Sequence, residues 1–285
     1  MTSPAEHPNT ELDLKEQALR DRLTSLGSVL VAYSGGTDSA FLAWQAHQVL
    51  GDLMLAVLAD SPSLSRRELK SATAFAEHWG IPLKVIASSE LDNPEYARND
   101  AFRCFHCKDE LFTAMERERV RRGFQHIAYG KNLDDLGDFR PGHHAAELHE
   151  VVAPLAESGL TKSEIRTLAQ RFGLTVWDKP ASACLASRLE YGRAVTREAL
   201  AAVEAGEDKL RELGFREARV RHHGDIVRIE IARNELDRAF SPETAALLVP
   251  IFKNLGFKYV TIDCEGYRSG SMNAVLPIQS IRMAQ

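Results

Sequence analysis

Long apolar runs and a secretory signal are both missing from this sequence. Its apolar stretches, such as SVLVAYS and LMLAVLA, are far shorter than the roughly 20 residues that span a bilayer. No basic segment followed by an apolar one opens the chain, which disfavours a secretory signal. We therefore expect a cytoplasmic protein without a membrane partner.

Cysteine is scarce, and an excess of positive charge is absent. Only four cysteines occur among 285 residues, and their wide scatter argues against a disulfide framework. The formal net charge is −5, whereas a dedicated nucleic-acid-binding protein usually presents a basic face. The sequence also lacks internal repeats and low-complexity tracts. These absences favour a small-molecule substrate over a nucleic acid.

Apolar runs alternate with helical patterns across residues 28–178. SVLVAYS, LMLAVLA, LKVIAS and HIAYG are typical of buried strands, and segments with helical spacing separate them. This alternation predicts an α/β fold, with a parallel sheet covered by helices on both faces. Thr161 and Glu164 have the spacing of a capping box, which predicts a helix start in LTKSEIRTLAQRFG.

The pattern changes after about residue 190. EARVRHHGDIVRIEIA predicts two short strands joined at His223–Gly224–Asp225, with helical segments on both sides. We infer a smaller C-terminal α+β domain. The predicted organisation is a polar N-terminal segment (1–20), an α/β domain (21–188) and a C-terminal domain for substrate binding or oligomerisation (189–285).

The stretch YSGGTDS joins the first predicted strand to the first predicted helix. Gly35 and Gly36 let the backbone turn tightly and approach a ligand. The amides that follow lie at a helix N-terminus, where partial positive charge favours a phosphate. Ser34 and Ser39 add hydroxyl groups, and Asp38 is suited to hold Mg²⁺. The sequence has neither a Walker pattern nor a dinucleotide fingerprint, so γ-phosphate hydrolysis is not implied.

This loop resembles the PP-loop of the ATP pyrophosphatase superfamily, which includes NAD synthetase, GMP synthetase and tRNA-thiolating enzymes. The resemblance implies an adenine nucleotide α-hydrolase-like fold, with ATP and Mg²⁺ as cofactors. It also implies cleavage of ATP between the α and β phosphates, adenylation of a substrate oxygen, and displacement of AMP by a nucleophile. The residues expected at the nucleotide are Ser34, Gly35, Gly36, Thr37, Asp38, Ser39, Asp60 and Gly130.

Four further motifs narrow the resemblance. DKPASACLASRLEYG (178–192), GKNLDDLGDFRPG (130–142), GLTKSEIRTLA and GYRSGSMN (266–273) are similar to motifs of the LarE family. Its members are ATP-dependent sulfur transferases, or sulfur insertases, that help to build the nickel-pincer cofactor of lactate racemase. The resemblance covers nearly the whole chain. It implies that a carboxylate of a pyridinium biscarboxylic acid mononucleotide is adenylated and then converted to a thiocarboxylate.

Cys184 occupies the position of the sacrificial sulfur donor in single-cysteine members of that family. In those proteins the cysteine forms a thioester, and cleavage of its C–S bond leaves dehydroalanine. This chain also has Cys104 and Cys107, in RCFHCK, which the single-cysteine members lack. Three thiolates can hold a [4Fe–4S] cluster and leave one iron without a protein ligand. That iron could carry a sulfide, so a cluster on these three cysteines is the favoured hypothesis.

Three alternative roles for the CxxC pair stay open. The pair could pack at a helix start, form a redox couple, or bind zinc with His106 or His126 as a further ligand. Arg188 could stabilise the Cys184 thiolate, since a nearby cation lowers a thiol pKa; a structural role is the alternative. Cys264 is predicted to be an ordinary buried side chain.

The remaining candidates are charged residues. Arg219 and Arg221 alternate along a predicted strand and should share one face. The resemblance places them, with Arg268, near phosphate or substrate, and surface salt bridges are the alternative. Asp138 aligns with an acid of a family motif. Glu207 and Glu230 match positions at a metal-binding surface between subunits, which implies a homo-oligomer; the family also implies nickel-insertion partner proteins.

Two further functions fit parts of this pattern. A tRNA-thiolating enzyme also combines a PP-loop with CxxC, and it would bind RNA tightly and in a salt-sensitive way; no added RNA-binding module is visible. A catalytically inactive nucleotide- or nickel-binding scaffold would bind ATP without forming AMP. The intact SGGTDS loop argues against the scaffold.

Overall fold

The computed structural model describes residues 10–137, 141–180 and 183–268. These residues form two compact units. The first consists of residues 10–60, 67–88, 108–137 and 141–180, and the second of 61–66, 89–107 and 183–268. Two short segments of the N-terminal half thus belong with the C-terminal residues. The predicted linear division at residue 188 stays a prediction, and Asp138 lies outside the described residues.

The described strands are β1 Val29–Ala32, β2 Met54–Asp60, β3 Leu83–Ala87, β4 His126–Tyr129, β5 Ala218–His223, β6 Ile226–Ile231 and β7 Tyr259–Ile262. The described helices are α1 Glu11–Leu26, α2 Thr37–Leu50, α3 Arg66–His78, α4 Pro94–Ala97, α5 Arg103–Arg122, α6 Pro141–Leu148, α7 Pro154–Glu157, α8 Lys162–Arg171, α9 Arg197–Glu212, α10 Leu236–Ala239 and α11 Pro242–Asn254. No helix in this described part of the chain is long and apolar enough to cross a membrane.

The first unit contains a four-stranded parallel sheet in the order β3-β2-β1-β4. Every residue of β1 is buried, as expected of a central strand with helices on both faces. Ala32 pairs with Tyr129, so β1 and β4 end side by side, whereas Ala32 pairs on the other side with Val57 and β2 continues to Asp60. The predicted α/β fold with a parallel sheet is confirmed.

Helix starts in this unit follow local sequence signals. Thr10 and Asp13 form a capping box at α1, and the boundary predicted at residue 20 falls within this helix. Thr161 and Glu164 form the capping box predicted for α8. Because the box fixes where α8 begins, it also fixes the position of Lys162, the first residue of the helix.

The second unit contains a three-stranded sheet in the order β5-β6-β7. Strands β5 and β6 are antiparallel and form the predicted hairpin, with a turn at Gly224 (φ +70°). Strand β7 pairs with β6 in parallel. The core of this unit includes buried residues of the sheet, of α9, of α11 and of the early segment 89–107, among them Val220, Val203, Phe252 and Tyr96.

Candidate functional site

The SGGTDS loop connects β1 to α2 at the carboxyl edge of the parallel sheet. Gly35 has φ +73°, and a Cβ atom there would lie 2.6 Å from the Cβ of Ala72. Only glycine meets both the backbone and the space requirement at this position. Gly36 is the N-cap of α2 and offers no side chain to the first amides of the helix. The loop therefore has the form of an anion-binding helix N-terminus.

The two serines of the loop are held close together. The Oγ atoms of Ser34 and Ser39 lie 3.0 Å apart, and Ser39 Oγ accepts a hydrogen bond from the Ser34 amide at 3.2 Å. Gly130, after β4, supports this arrangement because a Cβ atom there would lie 2.8 Å from the Ser39 amide nitrogen. Thr37 instead donates its hydroxyl to the carbonyl of Val176 at 2.8 Å, which anchors the loop.

Asp38 has one oxygen engaged and one unengaged. Its Oδ2 lies 2.5 Å from Lys162 Nζ and 3.3 Å from Asn132 Nδ2. Within the described residues, the buried Oδ1 has no hydrogen-bond partner. Burial raises the pKa of Asp38 above its ordinary value, although Lys162 and Asn132 act in the opposite direction. An unengaged carboxylate oxygen beside an anion-binding loop fits Mg²⁺, which prefers such oxygens together with those of phosphate.

Three side chains that contact this loop come from distant positions in the sequence and were not predicted. Lys162 and Asn132 contact Asp38, and Lys179 Nζ donates to the carbonyl of Gly35 at 2.9 Å while pairing with Glu68 at 2.6 Å. All three lie inside motifs of the family resemblance, which was the available signal. Asp60, the last residue of β2, ends its strand at the same sheet edge as the loop.

The three cysteines of the predicted cluster all belong to the second unit. Cys104 and Cys107 lie in the first turns of α5, and Cys184 immediately precedes a 3₁₀ turn at Leu185–Arg188. Cys104 and Cys184 are exposed, and Cys107 packs against the core of the unit. The described cysteines form no disulfide.

Shared neighbours connect the three thiols. Cys184 and Cys107 both lie near enough to Tyr96 to influence its pKa, and Cys184 and Cys104 both lie near enough to influence the pKa of Arg103 and of Tyr191. Across residues 10–137, 141–180 and 183–268, however, no three His, Cys, Asp or Glu side chains are grouped closely enough to hold a metal ion. The three thiols thus share neighbouring residues, but they are not arranged as the ligands of one metal ion.

Arg188 contacts the backbone of the Cys184 loop. Its Nη1 donates to the carbonyl oxygens of Ala183 at 2.6 Å and of Cys184 at 3.0 Å. Its Nε lies 3.0 Å from Glu207 Oε1, and both side chains are buried. These contacts shape the loop, and a role of Arg188 in stabilising the Cys184 thiolate stays a prediction.

The two glutamates predicted at a metal-binding surface are paired with arginines. Glu207 also lies 3.3 Å from Arg211, and Glu230 lies 2.7 Å from Arg221 and 3.3 Å from Arg228. Glu230 is fully buried and Glu207 is 3% exposed. Because guanidinium groups contact these carboxylates, metal binding by either residue stays a prediction.

The arginines predicted at phosphate or substrate differ in their surroundings. The Arg221 side chain is buried and pairs with Glu230. The guanidinium carbon of Arg219 lies 4.8 Å from the centre of the Tyr267 ring. Arg268 pairs with Glu265 at 2.5 Å and is more than a third exposed. Arg219 and Arg221 share a face of β5, as predicted, since the Val220 side chain between them is in the core.

The prediction of a buried Cys264 is wrong. Strand β7 ends at Ile262, and Cys264 lies in the following turn, where it is exposed. The strand therefore ends two residues before Cys264, and Asp263 between them ion-pairs with Arg228.

Comparisons with known proteins identify the family of this chain. The NAD synthase family model matches residues 12–134. A pyridinium-3,5-bisthiocarboxylic acid mononucleotide synthase from Lactiplantibacillus plantarum is 34% identical over 268 residues, which cover 93% of this chain and 96% of that protein. The chain belongs to this synthase family, the LarE family. An uncharacterized protein of Synechocystis sp. is 41% identical over 93% of this chain and 99% of its own length.

A partial match extends to a broader group. A glutamine-hydrolyzing GMP synthase from Brucella melitensis is 28% identical over 183 residues, which cover 55% of this chain and 34% of that protein. The predictions of a LarE-family protein and of an ATP-dependent enzyme that forms AMP and pyrophosphate are confirmed by the synthase and the family model. ATP and Mg²⁺ are the cofactors that this family membership supports.

Proposed function

We propose that this LarE-family protein is an ATP-dependent sulfur transferase acting on a pyridinium biscarboxylic acid mononucleotide. It adenylates one carboxylate of that substrate and converts it to a thiocarboxylate. The observation that carries the proposal is the SGGTDS loop, in which one oxygen of Asp38 has no hydrogen-bond partner in the described part of the chain. The chain that contains this loop matches 96% of the length of the synthase. The proposed substrate class is the one stated in the name of the related synthase.

The first unit supplies the groups for activation. The α2 amides and the hydroxyls of Ser34 and Ser39 would bind pyrophosphate, and Asp38 would hold Mg²⁺, which would neutralise charge on the phosphates. Adenylation makes the substrate carbonyl electrophilic, because AMP is a far better leaving group than oxide. A sulfur nucleophile then displaces AMP.

For the sulfur we propose a [4Fe–4S] cluster held by Cys104, Cys107 and Cys184. Three thiols in one unit with shared neighbours fit such a donor set, although they must move together to bind it. When bound, the cluster offers one iron without a protein ligand, where a sulfide can be held. The alternative is direct donation from Cys184, which would leave dehydroalanine at that position.

We further propose a cytoplasmic homo-oligomer that cooperates with nickel-insertion proteins. A reducing compartment suits a protein whose described cysteines form no disulfide. The family resemblance supports the oligomer and the partner proteins.

The proposal is tested by anaerobic assay of the purified chain with ATP, Mg²⁺ and the mononucleotide. We expect AMP, pyrophosphate and a thiocarboxylate product by mass spectrometry. Iron and acid-labile sulfide analysis distinguishes the two sulfur sources, since donation from Cys184 instead leaves a protein lighter by H₂S. Tight, salt-sensitive tRNA binding with thiolated tRNA would establish the rival enzyme, and ATP binding without AMP formation would establish a scaffold.

A further inference from the structure

Asn99 fastens the segment that carries Cys104 and Cys107 to the chain that follows Cys184. It is fully buried and has φ +59°, a conformation that asparagine tolerates better than most residues. Its Nδ2 donates to the carbonyls of Glu190 and Arg193, both at 2.9 Å. Its own carbonyl accepts a hydrogen bond from the Gly192 amide at 3.0 Å.

Arg103 extends this connection to both cysteine positions. Its Nη1 donates to Asn99 Oδ1 and, at 2.9 Å, to the carbonyl of Ala186. Ala186 lies two residues after Cys184, and Arg103 immediately precedes Cys104. One buried guanidinium, only 5% exposed, therefore joins the start of α5 to the Cys184 loop.

The positive charge of Arg103 lies in a place that is unfavourable for a cation unless an anion is nearby. Arg103 is the first residue of the 20-residue helix α5, whose N-terminus carries partial positive charge. Its Nη1 donates to two neutral oxygens, Asn99 Oδ1 and the carbonyl of Ala186, so neither of these contacts supplies a countercharge.

We propose that Arg103 is a positioning residue of the three-cysteine site, holding Cys104 against the Cys184 loop and supplying the countercharge for the anionic sulfur ligands. This inference rests on the sulfur-transfer function proposed above. Tyr191, whose ring lies 5.7 Å from the guanidinium, packs against the same cation. Asn99 serves as the support that orients Arg103.

The first test uses metal-free protein and a short bifunctional thiol reagent in a Cys264→Ser, Cys107→Ser background. The rate at which Cys104 and Cys184 become cross-linked reports how closely they are held. Relative to the parent, we expect Arg103→Met to slow cross-linking about tenfold, as removal of an outer supporting group commonly does at ligand sites. Asn99→Gly tolerates the positive φ but loses the side-chain bonds, and it should slow cross-linking as well.

Arg98→Met is the matched control. Arg98 lies in the same segment, but its side chain is 58% exposed and binds only Glu95 and Asp100 among the groups described. It should leave the cross-linking rate unchanged. Arg103→Lys retains the charge without the planar fork, so it should restore part of the rate lost in Arg103→Met.

The second test measures the reconstituted cluster in the otherwise unmodified chain. We expect Arg103→Met to lose iron to a chelator at least about tenfold faster than wild type, with an altered electron paramagnetic resonance spectrum after reduction. Arg98→Met should behave as wild type. If Arg103→Met does not fold by circular dichroism, Arg103→Lys and Asn99→Gly replace it in both tests.

The outcomes separate this inference from the proposed function. A wild-type protein that takes up no iron or sulfide would overturn the cluster, whereas the cross-linking rates would still decide the positioning role. Wild-type uptake together with unchanged cross-linking and iron retention in the Arg103 and Asn99 variants would overturn the role of Arg103 and leave the cluster intact.

Discussion

Lys162 Nζ lies 2.5 Å from Asp38 Oδ2, so the acid suited to hold Mg²⁺ is paired with a lysine. The pairing does not remove the cost of burying Asp38, because its pKa remains raised. A magnesium ion held at the unengaged Oδ1 would offset that cost, because an opposite charge favours the ionised carboxylate.

Replacing Asp38 with Asn should abolish ATP-dependent pyrophosphate release while making the fold more stable at neutral pH. A folded-state pKa raised above 3.8 means that ionisation of Asp38 destabilises the fold. The stability gained by Asp38→Asn should therefore be present above the raised pKa and disappear as pH falls below 3.8. Urea denaturation at several pH values measures it. Asp52→Asn, at an exposed acid of the same unit, is the control; retained turnover in Asp38→Asn would contradict the assigned role.

The close approach of Gly35 to α3 predicts a difference between two otherwise similar glycine substitutions. Gly35 and Gly80 have φ +73° and +65°, so alanine strains the backbone at both, by about 1 kcal/mol. A Cβ at Gly80 meets nothing within 4 Å, whereas one at Gly35 overlaps Ala72. Gly80→Ala should keep full AMP formation, and Gly35→Ala should lose about 2 kcal/mol more stability and most of its activity. Equal losses in thermal denaturation and in the AMP assay would refute the distinction.

The parts predicted from sequence are those set by local patterns. The apolar runs predicted the parallel strands, glycine and serine predicted the PP-loop, and Thr161 with Glu164 predicted the start of α8. Each of these predictions depends on residues that lie a few positions apart in the sequence. Cys264 was misplaced because the sequence of a strand does not reveal where it loses its partner, and β6 pairs with β7 only as far as Ile262.

The contacts that sequence could not supply join distant positions. Lys162 and Asn132 reach Asp38 across 124 and 94 residues, and Arg103 reaches Ala186 across 83. Arg221 near phosphate or substrate stays a prediction; strand register places it opposite Arg228, and its side chain reaches diagonally to Glu230. Such pairings depend on how strands and helices assemble, which composition and spacing do not encode.

Arg188 and Arg211 both contact Glu207, but their substitution should have very different effects. Arg188 is 4% exposed and Arg211 is 32% exposed. Arg188→Met leaves a buried carboxylate largely uncompensated and should cost about 3 kcal/mol, whereas Arg211→Met should cost less than about 1 kcal/mol. Arg188→Met combined with Glu207→Met should regain stability, since no unpaired charge remains. Denaturant titration measures all three, and equal effects of the single variants would count against this account.

His149 should make the stability of the first unit depend on pH. Its Nδ1 lies 2.9 Å from Glu116 and its Nε2 lies 2.9 Å from Asp109, so both ring nitrogens face carboxylates. Burial opposes protonation, but these two hydrogen bonds outweigh it and raise the pKa of His149 above 6.5.

A raised histidine pKa contributes stability that is complete below the ordinary value of 6.5 and is lost as pH rises through the folded-state value. His149→Phe should therefore lower the free energy of unfolding by about 2 kcal/mol at pH near 6, and by much less at pH near 9. His144→Phe, at a ring that is 53% exposed and 3.7 Å from Glu147, should change stability little at either pH. Urea midpoints of both variants and wild type at the two pH values give the comparison. A loss in His149→Phe of the same size at both would show that packing against Phe112, rather than the charge, is what His149 contributes.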